Sequence, residues 1–235
     1  MGSSSFPKNI RLILDNTSSN FLKRYNKSNM KLIDLSHEFK ENMPVYPGDE
    51  PPEFVQVSDY SKEGCFNYRI NSGFHVGTHI DAPFHMIPGA KKLSEINVER
   101  FFGKGVLIDA TGKKEIDVDL LDKRNIVKDS IVLIMTGFYK DFGSEEYYKS
   151  FPEITEAFAK RLVDLKVKIV AMDTPSPDKH PYKVHKILLK EEILIIENLT
   201  NLEELIGIND FEVIALPAKF HSDGAPIRVV AQVNN

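Results

Sequence analysis

The chain has 235 residues, 42% hydrophobic and 27% charged, which is ordinary globular usage and excludes a disordered or membrane-embedded protein. With 30 basic and 34 acidic residues it carries a net charge of −4 and no polybasic cluster, so nucleic acid and anionic membranes are excluded as expected partners and a small molecule is favoured. The one cysteine, Cys65, cannot form an intramolecular disulfide and reads as a buried or half-buried thiol rather than a nucleophile.

Residues 1–29 are Ser/Asn-rich and irregular and read as a leader or upstream extension, with Met30 as the candidate start. The apolar patch Ile10, Leu12, Ile13 and Leu14 is cut off by Asp15, too short for a secretory signal. No run approaches the ~18 apolar residues needed to span a bilayer, so cytoplasm is the expected compartment. From 30 to 235 no repeat, low-complexity tract or linker intervenes, and one domain is expected. Short β-type runs at 31–35, 53–57 and 66–71 open it. The Pro-rich stretch 43–52 between the first two is a structured loop of the kind that carries function on a rigid scaffold.

Next comes His75-Val-Gly-Thr-His79-Ile-Asp81-Ala-Pro-Phe-His85, which gathers three of the seven histidines and a carboxylate in one short segment. Imidazole and carboxylate suit zinc, manganese or iron, and three protein ligands with an open position describe a catalytic site. On a straight strand His75 and His79 would stand about 13 Å apart, too far to share an ion, so the chain must bend between them. Gly77 gives the freedom for that bend, Thr78 can tie the turn through its hydroxyl, and Pro83 argues against a helix. The ligands read here are His75, His79 and Asp81. His85 is assigned proton transfer, because imidazole titrates near neutrality and amide hydrolysis needs a donor for the departing nitrogen.

Further strands are expected at 106–110, 131–136, 168–173, 193–197, 212–216 and 227–233. The runs Ile131 to Met135 and Ile193 to Ile196 are continuously apolar, the mark of strands covered on both faces. The clearest helix spans 152–166, with Ile154, Phe158, Leu162 and Leu165 at helical spacing and Ser150 as N-cap ahead of Pro152. Shorter helices are expected at 117–123, 182–189 and 201–205, and a second Pro-rich loop at 174–181. The periodicity therefore gives a strand-rich α/β domain with mixed pairing. His37, His180 and His221 read as structural or peripheral, His37 being placed to support the site from behind.

The string from His75 to His85 resembles the His-x-Gly-Thr-His-x-Asp-x-Pro-x-His signature of the metal-dependent cyclase superfamily, which includes bacterial kynurenine formamidase and isatin hydrolase. The resemblance runs through Ile33 to His37, Pro44 to Asp49 and Asp173 to Ser176, and closes on Ser222-Asp223-Gly224-Ala225-Pro226-Ile227-Arg228. It implies a swivelling β/β/α arrangement with a mixed sheet, and a homodimer or homotetramer with an aromatic loop reaching across subunits. It also implies a second ion held by Asp81, His185 and Glu197, the last two standing twelve residues apart. One or two divalent ions follow, Zn2+ first and Mn2+ as the alternative. Tyr46, Phe74 and Phe84, in or beside the matched loops, are the expected substrate-binding aromatics; Tyr46 stands where formamidases often carry tryptophan, and this chain has none. The implied activity is hydrolysis of N-formylkynurenine to kynurenine and formate. The alternatives are hydrolysis of isatin or a related cyclic amide or lactone and, in another class, a non-catalytic metal- or ligand-binding protein.

Overall fold

The computed structural model describes residues 30–122 and 124–234, and the leader or extension expected at 1–29 lies outside them. The strands are β1 (Met30–Asp34), β2 (Glu53–Ser58), β3 (Asn67–Asn71), β4 (His79–Asp81), β5 (Phe102–Asp109), β6 (Glu115–Ile116) and β7 (Ile131–Met135). They continue as β8 (Glu153–Ile154), β9 (Ile169–Met172), β10 (Leu194–Glu197), β11 (Phe211–Ile214), β12 (Gly224–Pro226) and β13 (Val230–Asn234). Nine of them form one sheet in the order β1-β13-β11-β5-β7-β9-β10-β4-β12, while β2–β3 and β6–β8 pair separately. The centre β5-β7-β9-β10 is parallel; β4 then runs antiparallel to β10, and β12 antiparallel to β4. This is the mixed, strand-rich α/β fold expected from the sequence. Residues Leu32–Val233 make up one compact unit.

Alternation explains the continuous apolar strands. Ile131, Leu133 and Met135 of β7 enter one core with Ile33, Leu35 and Phe101, while Val132 and Ile134 enter the opposite core under the helices Glu156–Asp164 and Lys183–Lys190. Both faces being covered, no polar position is tolerated along the strand, and each fully buried aliphatic contributes about 1.5–3 kcal/mol.

Several expectations need correction. The helix expected at 152–166 begins only at Glu156. Its N-cap is Thr155, whose hydroxyl accepts from Phe158 N at 3.1 Å, and not Ser150. Glu153 and Ile154 instead form β8 against β6, with Ile154 N donating to Pro177 O, so sheet pairing overrides the capping signal at Ser150-Phe151-Pro152. The helices expected at 117–123 and 201–205 are single 3-10 turns, Val118–Leu120 and Leu202–Leu205. The short helices Tyr60–Glu63 and Glu145–Lys149 were not expected from periodicity, being too brief to show any. Cys65 is exposed rather than buried, because it lies just ahead of β3, whose residues have no core beneath them.

Candidate metal centre

The site sits at the carboxyl end of β10, where the parallel centre of the sheet gives way to antiparallel β4, the crevice position favoured in α/β sheets. Gly77, at φ +62°, bends the chain ahead of β4; a Cβ there would also meet Met43 Cε at 2.7 Å. Thr78 ties that bend across the sheet: its hydroxyl donates to Asn198 O at 2.6 Å and accepts from His37 N at 2.9 Å. His79 and Asp81, two residues apart on β4, share one face, and His79 stands in register with Glu197 of β10. On the other side β12 brings Gly224 opposite Asp81, where a Cβ would meet Ile80 O at 2.7 Å and His75 Cε1 at 2.8 Å, so glycine is required for the approach. The helix Lys183–Lys190 delivers His185 from above.

These elements bring five side chains together: His75, His79, Asp81, His185 and Glu197. His75 Nδ1 lies 2.8 Å from Asp81 Oδ1, and His79 Nε2 lies 3.5 Å from the same oxygen and 3.3 Å from Glu197 Oε2. His185 Nε2 lies 3.3 Å from Glu197 Oε1 and 3.8 Å from Asp81 Oδ2. The two oxygens of Asp81 thus face two different histidine sets. His79, Asp81, His185 and Glu197 are all buried.

The far nitrogen of each histidine is held by a second partner. His79 Nδ1 donates to Gly77 O at 2.9 Å, His185 Nδ1 bonds Asp178 Oδ1 at 2.6 Å, and His75 Nε2 bonds Asp223 Oδ2 at 2.8 Å. Outer carbonyls and carboxylates of this kind fix the tautomer of metal-ligating histidines. Asp81 Oδ2 is buried with no hydrogen-bond partner, an arrangement that costs stability for a purely structural carboxylate and suits one that meets a cation. The donor set therefore fits a divalent ion.

Charge balance gives the same reading. Burial opposes the imidazolium form of His75, yet Asp81 and Asp223 outweigh it and push its pKa up to about 10. His185 is likewise carried to about 10 against burial by Asp178 and Glu197, and His79 is raised by Glu197 and Asp81. Against their own burial, the carboxyls of Asp81 and Glu197 are held below the usual range by these histidines. The cluster demands positive charge at its centre, and a divalent ion bound by neutral imidazoles would supply it with release of protons.

The Cyclase family model matches residues 33–179. Kynurenine formamidase of Bacillus cereus is 31% identical over 205 residues, covering 84% of this chain and 95% of that protein. The chain belongs to the cyclase family. Among solved structures, a potential metal-dependent hydrolase with cyclase activity superposes with a TM-score of 0.73 at 26% identity, covering 88% of this chain and 99% of that one. Isatin hydrolase A from Labrenzia aggregata shares the fold with a TM-score of 0.81 at 22% identity, covering 93% of this chain and 100% of that one.

In this family member the cluster floors a cavity of about 340 Å³ whose lining includes Tyr46, Phe142, Tyr148 and Tyr182. Of the residues singled out from sequence, His75, His79, Asp81, His85, His185, Glu197 and Tyr46 all line it. Phe74 and Phe84 lie outside its lining: the Phe74 ring packs on Phe220 at 5.2 Å, and Phe84 lies under the Lys92 ammonium at 4.9 Å. Adjacency to a matched loop does not fix the side on which a ring emerges. The aromatic wall comes instead from Tyr148, which meets Tyr46 edge-on at 5.9 Å, and from Tyr182, which meets the His185 ring edge-on at 5.7 Å. Burial, helped by Tyr182 and Glu197, raises the Tyr46 phenol above its ordinary value, so it is a hydroxyl donor at neutral pH.

Asp178, Asn198 and Asp223 were not read as site residues. Asn198, at φ +57°, donates from its amide to Gly77 O at 2.9 Å and accepts from Tyr147 at 2.8 Å, bracing the bend that carries His79. Asp223 alone gave a usable signal, through its place in the closing Ser222-Asp223-Gly224 segment. Of the other histidines, His180 packs on Tyr182, and His221 accepts from the Lys92 ammonium through Nε2 and donates from Nδ1 to Ser94 Oγ, both apart from the donor cluster.

His37 stacks on Phe142 with centroids 3.9 Å apart, and its Nε2 is buried without a partner. Burial lowers its pKa from 6.5 to about 4. Between those values the unfolded chain binds the extra proton, so stability falls as pH drops from 6.5 to 4. His37→Phe is expected to lose less Tm than the wild type across that window in metal-free buffer. Parallel acid limbs for the two proteins would remove His37 from the effect.

Proposed function

We propose that this chain is a divalent-metal-dependent amide hydrolase that cleaves N-formylkynurenine to kynurenine and formate. The carrying observation is the convergence of His75, His79, Asp81, His185 and Glu197 on the floor of an aromatic cavity with His85 at its side. His75, His79 and Asp81 would hold one ion, and Asp81, His185 and Glu197 a second; Zn2+ suits these donors best and Mn2+ is the alternative. When bound, such an ion lowers the pKa of water from ~15.7 toward about 7 and polarises a carbonyl oxygen. His85 has Nδ1 turned to Asp223 at 3.3 Å, which leaves Nε2 to carry a proton to the departing nitrogen. Burial, with repulsion from His75 and His185, lowers the His85 pKa, so the ring is neutral at physiological pH and able to accept a proton before passing it on. Tyr46, Tyr148 and Tyr182 would receive the aryl ring, and an aniline nitrogen leaves more readily than an alkylamine.

A second reading, hydrolysis of a cyclic amide such as isatin, is favoured by one observation: among the described residues neither lysine nor arginine lines the cavity to meet an amino-acid carboxylate. Parallel assays of N-formylkynurenine and isatin, with and without chelator, separate the two. Turnover of neither, nor of any aryl amide, lactam or lactone, would favour a non-catalytic metal-binding protein.

The two-ion version predicts that Glu197→Ala lowers metal content from two ions per chain to one, read by elemental analysis. Unchanged stoichiometry would exclude Glu197 as a ligand. We further infer a single domain over 30–235, acting in the cytoplasm as a homodimer or homotetramer. Among the described residues no helix is long and apolar enough to cross a membrane. Support for self-association comes from the β2–β3 hairpin, where Tyr68 and Ile70 are exposed on one face. Light scattering on the eluting protein tests the oligomer.

A further inference from the structure

The backbone around Asp223 is anchored on both sides. Its carbonyl accepts from Ala82 N at 2.8 Å, Ser222 O accepts from Leu93 N at 2.9 Å, and the Ser222 hydroxyl donates to Gly224 O at 2.6 Å. Gly224 then pairs with Asp81 at the sheet edge, against the face of His75. Held in this way, the carboxylate places a single oxygen, Oδ2, 2.8 Å from His75 Nε2 and 3.3 Å from His85 Nδ1. The two rings it serves lie over one another with centroids 4.1 Å apart. In each ring the bonded nitrogen is the one that leaves the other free for work: His75 Nδ1 faces Asp81 Oδ1 at 2.8 Å, and His85 keeps Nε2 for the cavity that it lines.

We propose that Asp223 is a positioning residue shared by the two halves of the site, fixing through one oxygen both the His75 ligand and the His85 proton carrier. An imidazole on two free torsions can present either nitrogen and either face; a carboxylate at one N–H settles tautomer and ring plane together. Because the same oxygen serves both rings, the carrier is kept at a constant distance from the ligand and does not swing away between turnovers. The inference rests on reading this site as a metal hydrolase, but its effect on His75 is measurable without turnover.

The experiment compares Asp223→Ala, Asp223→Asn, His85→Ala and the double variant Asp223→Ala with His85→Ala, all as full chains with far-UV circular dichroism as the folding control. Zn2+ affinity is measured by competition with a chelator, and the visible spectrum is recorded on Co2+-loaded protein. Asp223→Ala is expected to weaken Zn2+ binding about 10- to 100-fold and to shift the Co2+ bands. At saturating metal its kcat falls about 100-fold with KM within about threefold, and the double variant loses no more kcat than His85→Ala alone. Asp223→Asn keeps an oxygen that accepts a ring N–H, so it recovers about tenfold of the lost kcat and gives the same metal readouts, weakened, should alanine fail to fold.

Wild-type Zn2+ affinity and Co2+ bands in both Asp223 variants would overturn the role at His75. Additive kcat losses in the double variant would overturn the role at His85, and equal losses for alanine and asparagine would show a structural effect only. A wild-type protein that binds Zn2+ but hydrolyses no amide would sink the proposed function alone, since the affinity and spectral comparisons would still decide the placement of His75.

Discussion

His79→Gln is expected to lower turnover by about 10,000-fold or more, with loss of bound metal and a retained fold. His79 is buried at the floor of the site, 3.5 Å from Asp81 and 3.3 Å from Glu197, with its other nitrogen fixed on Gly77 O. Glutamine fills comparable volume and can keep one of those hydrogen bonds, but an amide is a poor ligand where imidazole served. Alanine is the worse choice here, because it would leave two buried carboxylates short of a partner, which costs about 3–5 kcal/mol in similar settings and mixes unfolding with loss of chemistry. Metal content and turnover measured on the same sample decide the matter. Retained activity in the variant, or wild-type activity in metal-free buffer, would contradict the assignment.

His85→Ala is expected to behave differently: metal content stays at the wild-type level while kcat falls about 100- to 10,000-fold, the range for loss of a general acid–base group. The side chain is 23% exposed at the cavity edge, so truncation excavates no core. Its contribution should depend on the leaving group. Formanilides with electron-withdrawing ring substituents, whose nitrogen departs with less help, should lose less rate than unsubstituted ones. A loss that is equal across the series would mean that His85 does something other than protonate nitrogen.

The parts of the fold that were legible are those where neighbouring residues carry the signal. Ile131 to Met135 reads as a doubly covered strand because every position is apolar, and its alternate residues do enter two cores. The segment His75 to His85 reads as a metal site because its donors are local and its one glycine lies between the two histidines. Glu197 and His185 needed the family resemblance, since a carboxylate at a strand end and a histidine on a short helix have ordinary roles.

What escaped was set by distance or brevity. Asp223 lies 148 residues from His75 and meets it only because β12 pairs with β4, and both are three-residue strands too short to show a period. Asp178 acts seven residues ahead of His185 through a loop whose path composition does not fix. Tyr148 and Tyr182 reach the cavity from a five-residue helix and from a left-handed residue at φ +57°, neither of which periodicity reports. Ser150-Phe151-Pro152 failed as a helix start because the two residues that follow pair with β6 instead.

Anomalous diffraction from crystals of the chain grown with Zn2+, recorded on both sides of the zinc edge, tests the central claim most directly. A peak within bonding distance of His75, His79 and Asp81 is the predicted result. Full-occupancy zinc elsewhere, with these three side chains turned away from one another and no peak among them, would contradict it.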